Sequence, residues 1–127
     1  MANLLENWKW KYVAKVTHIV DGDTFDVEID RGFRDKSTRR IRLKGIDTEE
    51  LNDEDEDRSR RAKQARDLLI KEFVDELVII QTFRVKEEVF GKERTTFNRY
   101  EASALRARDG WDPKVALVVA ELEKKPR

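Results

Sequence analysis

Phe25, Val27 and Ile29 alternate with Asp26, Glu28 and Asp30. A two-residue period sets the apolar side chains on one face, so this segment fits a half-buried strand and offers a helix no coherent stripe. Its neighbours follow the same pattern. Tyr12-Val13-Ala14-Lys15-Val16 is a strand, broken by Asp21-Gly22-Asp23, whose residues favour a turn. After Gly32 a polar stretch reads as a loop; Ile41 and Leu43 then start a third strand, which Gly45 interrupts. Leu77-Val78-Ile79-Ile80 is a short apolar strand followed by Thr82-Phe83-Arg84-Val85, Gly91 marks a hairpin-like loop, and Tyr100 to Leu105 is a fifth strand.

Two segments switch to helical spacing. Ala62, Ala65, Leu69 and Phe73, with Leu68 beside them, line one face of residues 58–73, and arginines and lysines fill the other. Asp112-Pro113 supplies an N-cap and a first-turn proline. Val115, Val118, Val119 and Leu122 then form an apolar stripe expected to pack into the core. A helix between the third and fourth strands and another at the end suit a mainly β, five-stranded closed barrel of the OB-fold type. The 127 residues are the size of one domain, and residues 1–10 are expected to be a peripheral N-terminal segment. Trp8 and Trp10 are candidates to cover one end of the barrel.

Equal numbers of basic and acidic residues, 27 of each, argue against a surface that attracts nucleic acid everywhere. The charges are nevertheless sorted. Arg31, Arg34, Lys36, Arg39, Arg40, Arg42 and Lys44 face one acid, Asp35, within residues 31–44. Residues 49–57 carry only acids among their charged members, and the next nine carry only bases. With no cysteine, thiolate catalysis, disulfides and cysteine-ligated metals are excluded. A single histidine, His18, removes paired-histidine nuclease chemistry and histidine-rich zinc sites, and it reads as a surface or half-buried residue. No secretory leader and no membrane-spanning apolar run is recognisable, which points to a cytoplasmic protein.

The functional signal lies in Asp21-Gly22-Asp23-Thr24 and in Arg42-Leu43-Lys44-Gly45-Ile46-Asp47-Thr48-Glu49-Glu50. Carboxylate and carbonyl oxygens suit a hard divalent cation, a guanidinium suits phosphate, and a further carboxylate can orient or deprotonate water. Simple alternation along the third strand would put Ile46, not Asp47, on the Arg42 face. A kink at Gly45 would shift that parity by one residue and bring Asp47 beside Arg42. Neither Asp21 nor Asp53 opens an EF-hand loop, because the sixth positions are Asp26 and Arg58 rather than glycine. The bland alternative for each charge is a solvated ion pair worth roughly 0.2–1 kcal/mol.

These two segments resemble the first two signatures of the staphylococcal (micrococcal) nuclease family. Phe97-Asn98-Arg99 loosely matches its third. The resemblance implies calcium held by the Asp23 and Asp47 carboxylates and the Thr48 backbone carbonyl, with Glu50 as general base or water-positioning group. It implies Arg42 and Arg99 clamping the scissile phosphate. Phe97 stands where the family has a nucleotide-contacting tyrosine, and Lys44 and Tyr100 are further expected contacts with nucleic acid. Glu49 replaces a proline, so the turn aiming Glu50 is expected to be less rigid. The acids at 53–57 are expected to repel an anionic substrate or collect cations. The family's further C-terminal helix has no counterpart after Leu122, which implies a weaker grip on substrate. The implied activity is calcium-dependent endonucleolytic hydrolysis of DNA and RNA, favouring unpaired strands and leaving 3′-phosphates, with no obligate protein partner. The alternative is a nuclease-like barrel that binds nucleic acid or a protein partner and cuts weakly or not at all.

Overall fold

The computed structural model describes residues 10–82 and 100–125. Five strands, β1 (Lys11–Asp21), β2 (Thr24–Asp30), β3 (Lys36–Leu43), β4 (Leu77–Thr82) and β5 (Tyr100–Arg106), close into a barrel in the order β1-β2-β3-β5-β4. Helix α1 (Glu56–Phe73) lies between β3 and β4, and α2 (Pro113–Val119) follows β5. This is the mainly β, OB-like barrel expected from the sequence. β1 is long enough to pair with both β2 and β4, and register shifts between Val16 and His18 and between Ile19 and Asp21 bend it around the barrel. β3 and β5 run parallel, with Ile41 opposite Tyr100 and Leu43 opposite Ala102. Among the described residues, no helix is long and apolar enough to cross a membrane.

Alternate residues of each strand fill the interior: Val16, Phe25, Val27, Ile41, Leu43, Val78, Ile80, Ala102 and Ala104 are all buried. Helix α1 buries the expected stripe of Ala62, Ala65, Leu69 and Phe73. Phe73 meets Phe25 edge-on at 5.3 Å between ring centres and Trp111 at 5.6 Å. The start of α1 is fixed by Asp55, whose carboxylate accepts from the N–H groups of Asp57 (2.9 Å) and Arg58 (3.0 Å). Asp53 pairs with Arg58 at 3.0 Å, and Asp57 contacts Arg60. Much of the acidic run therefore caps and braces the helix beginning.

Two expectations need correction. β3 begins at Lys36, inside the stretch read as a loop, because its outward side chains pair with β2: Arg40 with Asp26 at 2.8 Å and Lys36 with Glu28 at 3.6 Å. A charged ladder replaces apolar alternation there. In α2, Val115, Val118 and Val119 are exposed rather than core. The helix has seven residues and buries Pro113 and Leu117, four apart on one line, with Leu122 buried beyond its end. Trp10 is partly exposed; Trp8 lies outside the described residues.

Candidate active site

β1 delivers Asp21 and β2 receives the chain at Thr24, so the Gly22-Asp23 turn lies at one mouth of the barrel. The turn packs closely. A Cβ added at Gly22 would lie 2.5 Å from the Ala65 Cβ and 2.9 Å from Thr48 Oγ1, which explains glycine there. The Leu43 N–H donates to the Asp23 carbonyl at 2.8 Å, fastening the turn to the end of β3. Arg42 pairs with Thr24 on β2 and Glu101 on β5, pointing outward between buried Ile41 and Leu43.

β3 stops at Leu43, and Gly45 takes a φ of +84°, a conformation that glycine adopts without strain. This is the expected kink, and it brings Asp47 into contact with Arg42. Arg42 Nη2 also lies 3.7 Å from Asp23, and its Nη1 lies 3.8 Å from Glu101. One guanidinium, 21% exposed, is thus faced by three carboxylates. Asp23, with a 10% exposed side chain, accepts hydrogen bonds from the Thr24 hydroxyl (3.0 Å) and the Thr48 N–H (3.2 Å). Burial, reinforced by the adjacent Asp21 carboxylate, pushes its pKa up to about 6. Asp21 also accepts from the Asp23 N–H at 3.1 Å.

The structure therefore brings Asp23, Arg42, Asp47 and Thr48 together. Glu50 sits on the same loop but is exposed, and its carboxylate makes no hydrogen bond or ion pair with Asp23, Arg42 or Asp47. Lys44 is exposed beside the site, with its N–H bonded to the Ala102 carbonyl at 2.9 Å. Tyr100 opens β5 opposite Ile41. Phe97 and Arg99 lie outside the described residues.

Three participants were missed by sequence reasoning. Asp21 was legible in the Asp-Gly-Asp spacing, because an aspartate commonly accepts from the N–H two residues on. Glu101 follows from the strand containing Tyr100 once its register against Arg42 is known. Glu49 was read only as the replacement of a proline, whereas its side chain is 0% exposed and receives Arg61 of α1 at 3.2 Å. The position expected to loosen the loop instead ties it to the helix.

A hard cation suits this donor set. Two carboxylates and a carbonyl leave positions for water, as calcium and magnesium accept. Three carboxylates face the Arg42 guanidinium, burial and the Asp21 carboxylate raise the pKa of Asp23, and among the described residues Thr48 Oγ1 is buried without a hydrogen-bond partner. Among the described residues, no three histidine, cysteine, aspartate or glutamate side chains cluster as a metal site. No protein-family model matches the chain, and no curated protein matches it.

Proposed function

We propose that this chain is a phosphodiesterase of the staphylococcal nuclease type, cutting DNA and RNA with calcium as cofactor. The observation that carries the reading is the Arg42 guanidinium held among Asp23, Asp47 and Glu101. An arginine so surrounded cannot attract a phosphate by itself, because the local charge is negative. A divalent cation on Asp23, Asp47 and the Thr48 carbonyl would reverse that balance and release Arg42 toward substrate. When bound, calcium supplies Lewis-acid polarisation of a phosphoryl oxygen and neutralises charge.

In this reading Glu50, open to solvent, takes a proton from water. The water oxygen adds to phosphorus in line with the 5′ oxygen, whose bond to phosphorus breaks, and the departing oxygen takes a proton from solvent water. The products are a 3′-phosphate and a 5′-hydroxyl. Arg42 and Arg99 stabilise the charge that builds on the equatorial oxygens, a role whose loss typically lowers rate by about 10²–10³. Glu49 and Arg61 hold the loop carrying Asp47 and Glu50 against α1.

One observation favours a barrel that binds without cutting, namely that Glu50 is not among the carboxylates that face Arg42. Plasmid nicking separates the two. Calcium-dependent nicking, abolished by chelator and strongly reduced in Arg42→Ala and Glu50→Gln, supports the enzyme. Gel retardation without product supports the binder. Nicking undiminished in both variants removes the assigned roles.

A further inference from the structure

At the barrel's β2–β3 hairpin, Phe33 and Arg34 form the two central positions of a tight turn, closed by the Asp35 N–H donating to the Gly32 carbonyl at 2.8 Å. Their φ angles are +55° and +62°, following +82° at Gly32. Two-residue turns of this hand favour Asn-Gly because both residues must be left-handed. A phenylalanine and an arginine there are strained. The turn is nevertheless well fastened: the Arg31 N–H donates to the Asp35 carbonyl at 2.8 Å, the Arg31 guanidinium meets Asp35 at 2.8 Å, and Gly32 N–H meets Asp30 at 2.9 Å. The result is a phenyl ring with 103% relative exposure. Among the described residues, no packing accounts for it.

The charges of this hairpin are not all committed. Among the described residues, Arg31, Lys36 and Arg40 each pair with a carboxylate, whereas Arg34, next to Phe33 in the turn, has no carboxylate partner. An exposed ring beside an uncommitted guanidinium group is the composition that holds unpaired bases and their phosphates. β3 leads from this hairpin to Arg42, a rise of roughly 20 Å from Lys36 at strand geometry. A strand of the roughly 4–16 nucleotides that one such barrel engages is long enough to span it. We infer that the Phe33 hairpin is a second contact for single-stranded nucleic acid, stacking a base on Phe33 and meeting a phosphate with Arg34. This rests on the nucleic-acid reading above, and it names where the strand beyond the scissile bond is held.

The test uses the whole protein in chelator, so that binding is measured without hydrolysis. The probe is a fluorescein-labelled oligothymidylate of about 20 nucleotides, a length beyond the site size of one barrel. Phe33→Ala should weaken binding roughly tenfold, while Phe33→Trp should retain it and show fluorescence quenching on stacking. Arg34→Ala should weaken binding and reduce its salt dependence by about one phosphate contact. Phe33→Asn should raise the melting temperature, because asparagine tolerates the left-handed turn, and yet lose affinity; a structural role alone would not oppose the two. Unchanged affinity in Phe33→Ala, or no binding by the wild type, overturns the inference. So does loss of binding to phosphatidylserine vesicles with oligonucleotide affinity intact. A wild type that binds through Phe33 but never cuts upholds the hairpin and removes the nuclease reading. Cleavage that is unaffected in Phe33→Ala on long and short substrates alike upholds the nuclease and removes the hairpin.

Discussion

Replacing Asp23 by asparagine should stabilise the metal-free protein at about pH 8 and slightly destabilise it at about pH 4, so that the two stability curves cross. The folded protein holds the Asp23 proton to about pH 6, against an ordinary value of 3.8, because the carboxylate is buried and faces Asp21. The folded state therefore binds the proton more tightly than the unfolded chain. Its contribution to stability is complete below 3.8 and is lost as pH rises through about 6. The interval of about two pH units, at roughly 1.4 kcal/mol per unit, comes to about 3 kcal/mol. Asparagine avoids that cost but has one acceptor oxygen, whereas Asp23 uses both, for the Thr24 hydroxyl and the Thr48 N–H. Losing one such bond costs about 1 kcal/mol. The net gain is then about 2 kcal/mol on the alkaline side, and the net loss about 1 kcal/mol on the acid side. Urea unfolding in chelator across this pH range, followed by tryptophan fluorescence, measures it. Added calcium should stabilise the wild type and narrow the alkaline difference. An Asp23→Asn protein less stable than wild type at every pH would refute the view that burial and Asp21 hold Asp23 protonated above its ordinary range.

Other perturbations probe the parts that place the site. Arg61→Ala leaves the buried Glu49 carboxylate without that guanidinium and should cost about 3 kcal/mol, read as a lower urea midpoint; an unchanged midpoint would deny the pair its anchoring role. Gly22→Ala drives a methyl into Ala65 and Thr48 and should cost about 1–3 kcal/mol, with a parallel loss of calcium-dependent nicking. Asp55→Ala removes the α1 N-cap and should lower stability by about 1 kcal/mol without changing the rate of cleavage, which thermal unfolding and the nicking assay together check.

The barrel was legible because its inward residues obey periods that only strands and helices produce. Phe25, Val27 and Ile29 proved buried or partly so on one face, and Ala62, Ala65, Leu69 and Phe73 on another. The Gly45 kink was legible from parity, since Asp47 could meet Arg42 only if the strand gave up its alternation. Residues 36–40 hid their strand because polar Ser37 and Arg39 stand at the positions opposite Ile29 and Val27, and the outward Lys36 and Arg40 pair with charges, so no apolar alternation marks them. The α2 stripe misled because a seven-residue helix rests on one line of contact, so valines off that line stay in water. Glu49–Arg61 was invisible for a deeper reason: buried ion pairs are set by tertiary approach, and neither residue departs from what a solvated surface would show.

The most direct measurement is a crystal structure of the Glu50→Gln protein with calcium and a short single-stranded oligonucleotide. The expected result is calcium on the Asp23 and Asp47 carboxylates, with Arg42 turned from those acids onto the scissile phosphate. Calcium seated on the acids of residues 53–57, or a phosphate bound away from Arg42, would contradict a single site that holds both cation and phosphodiester.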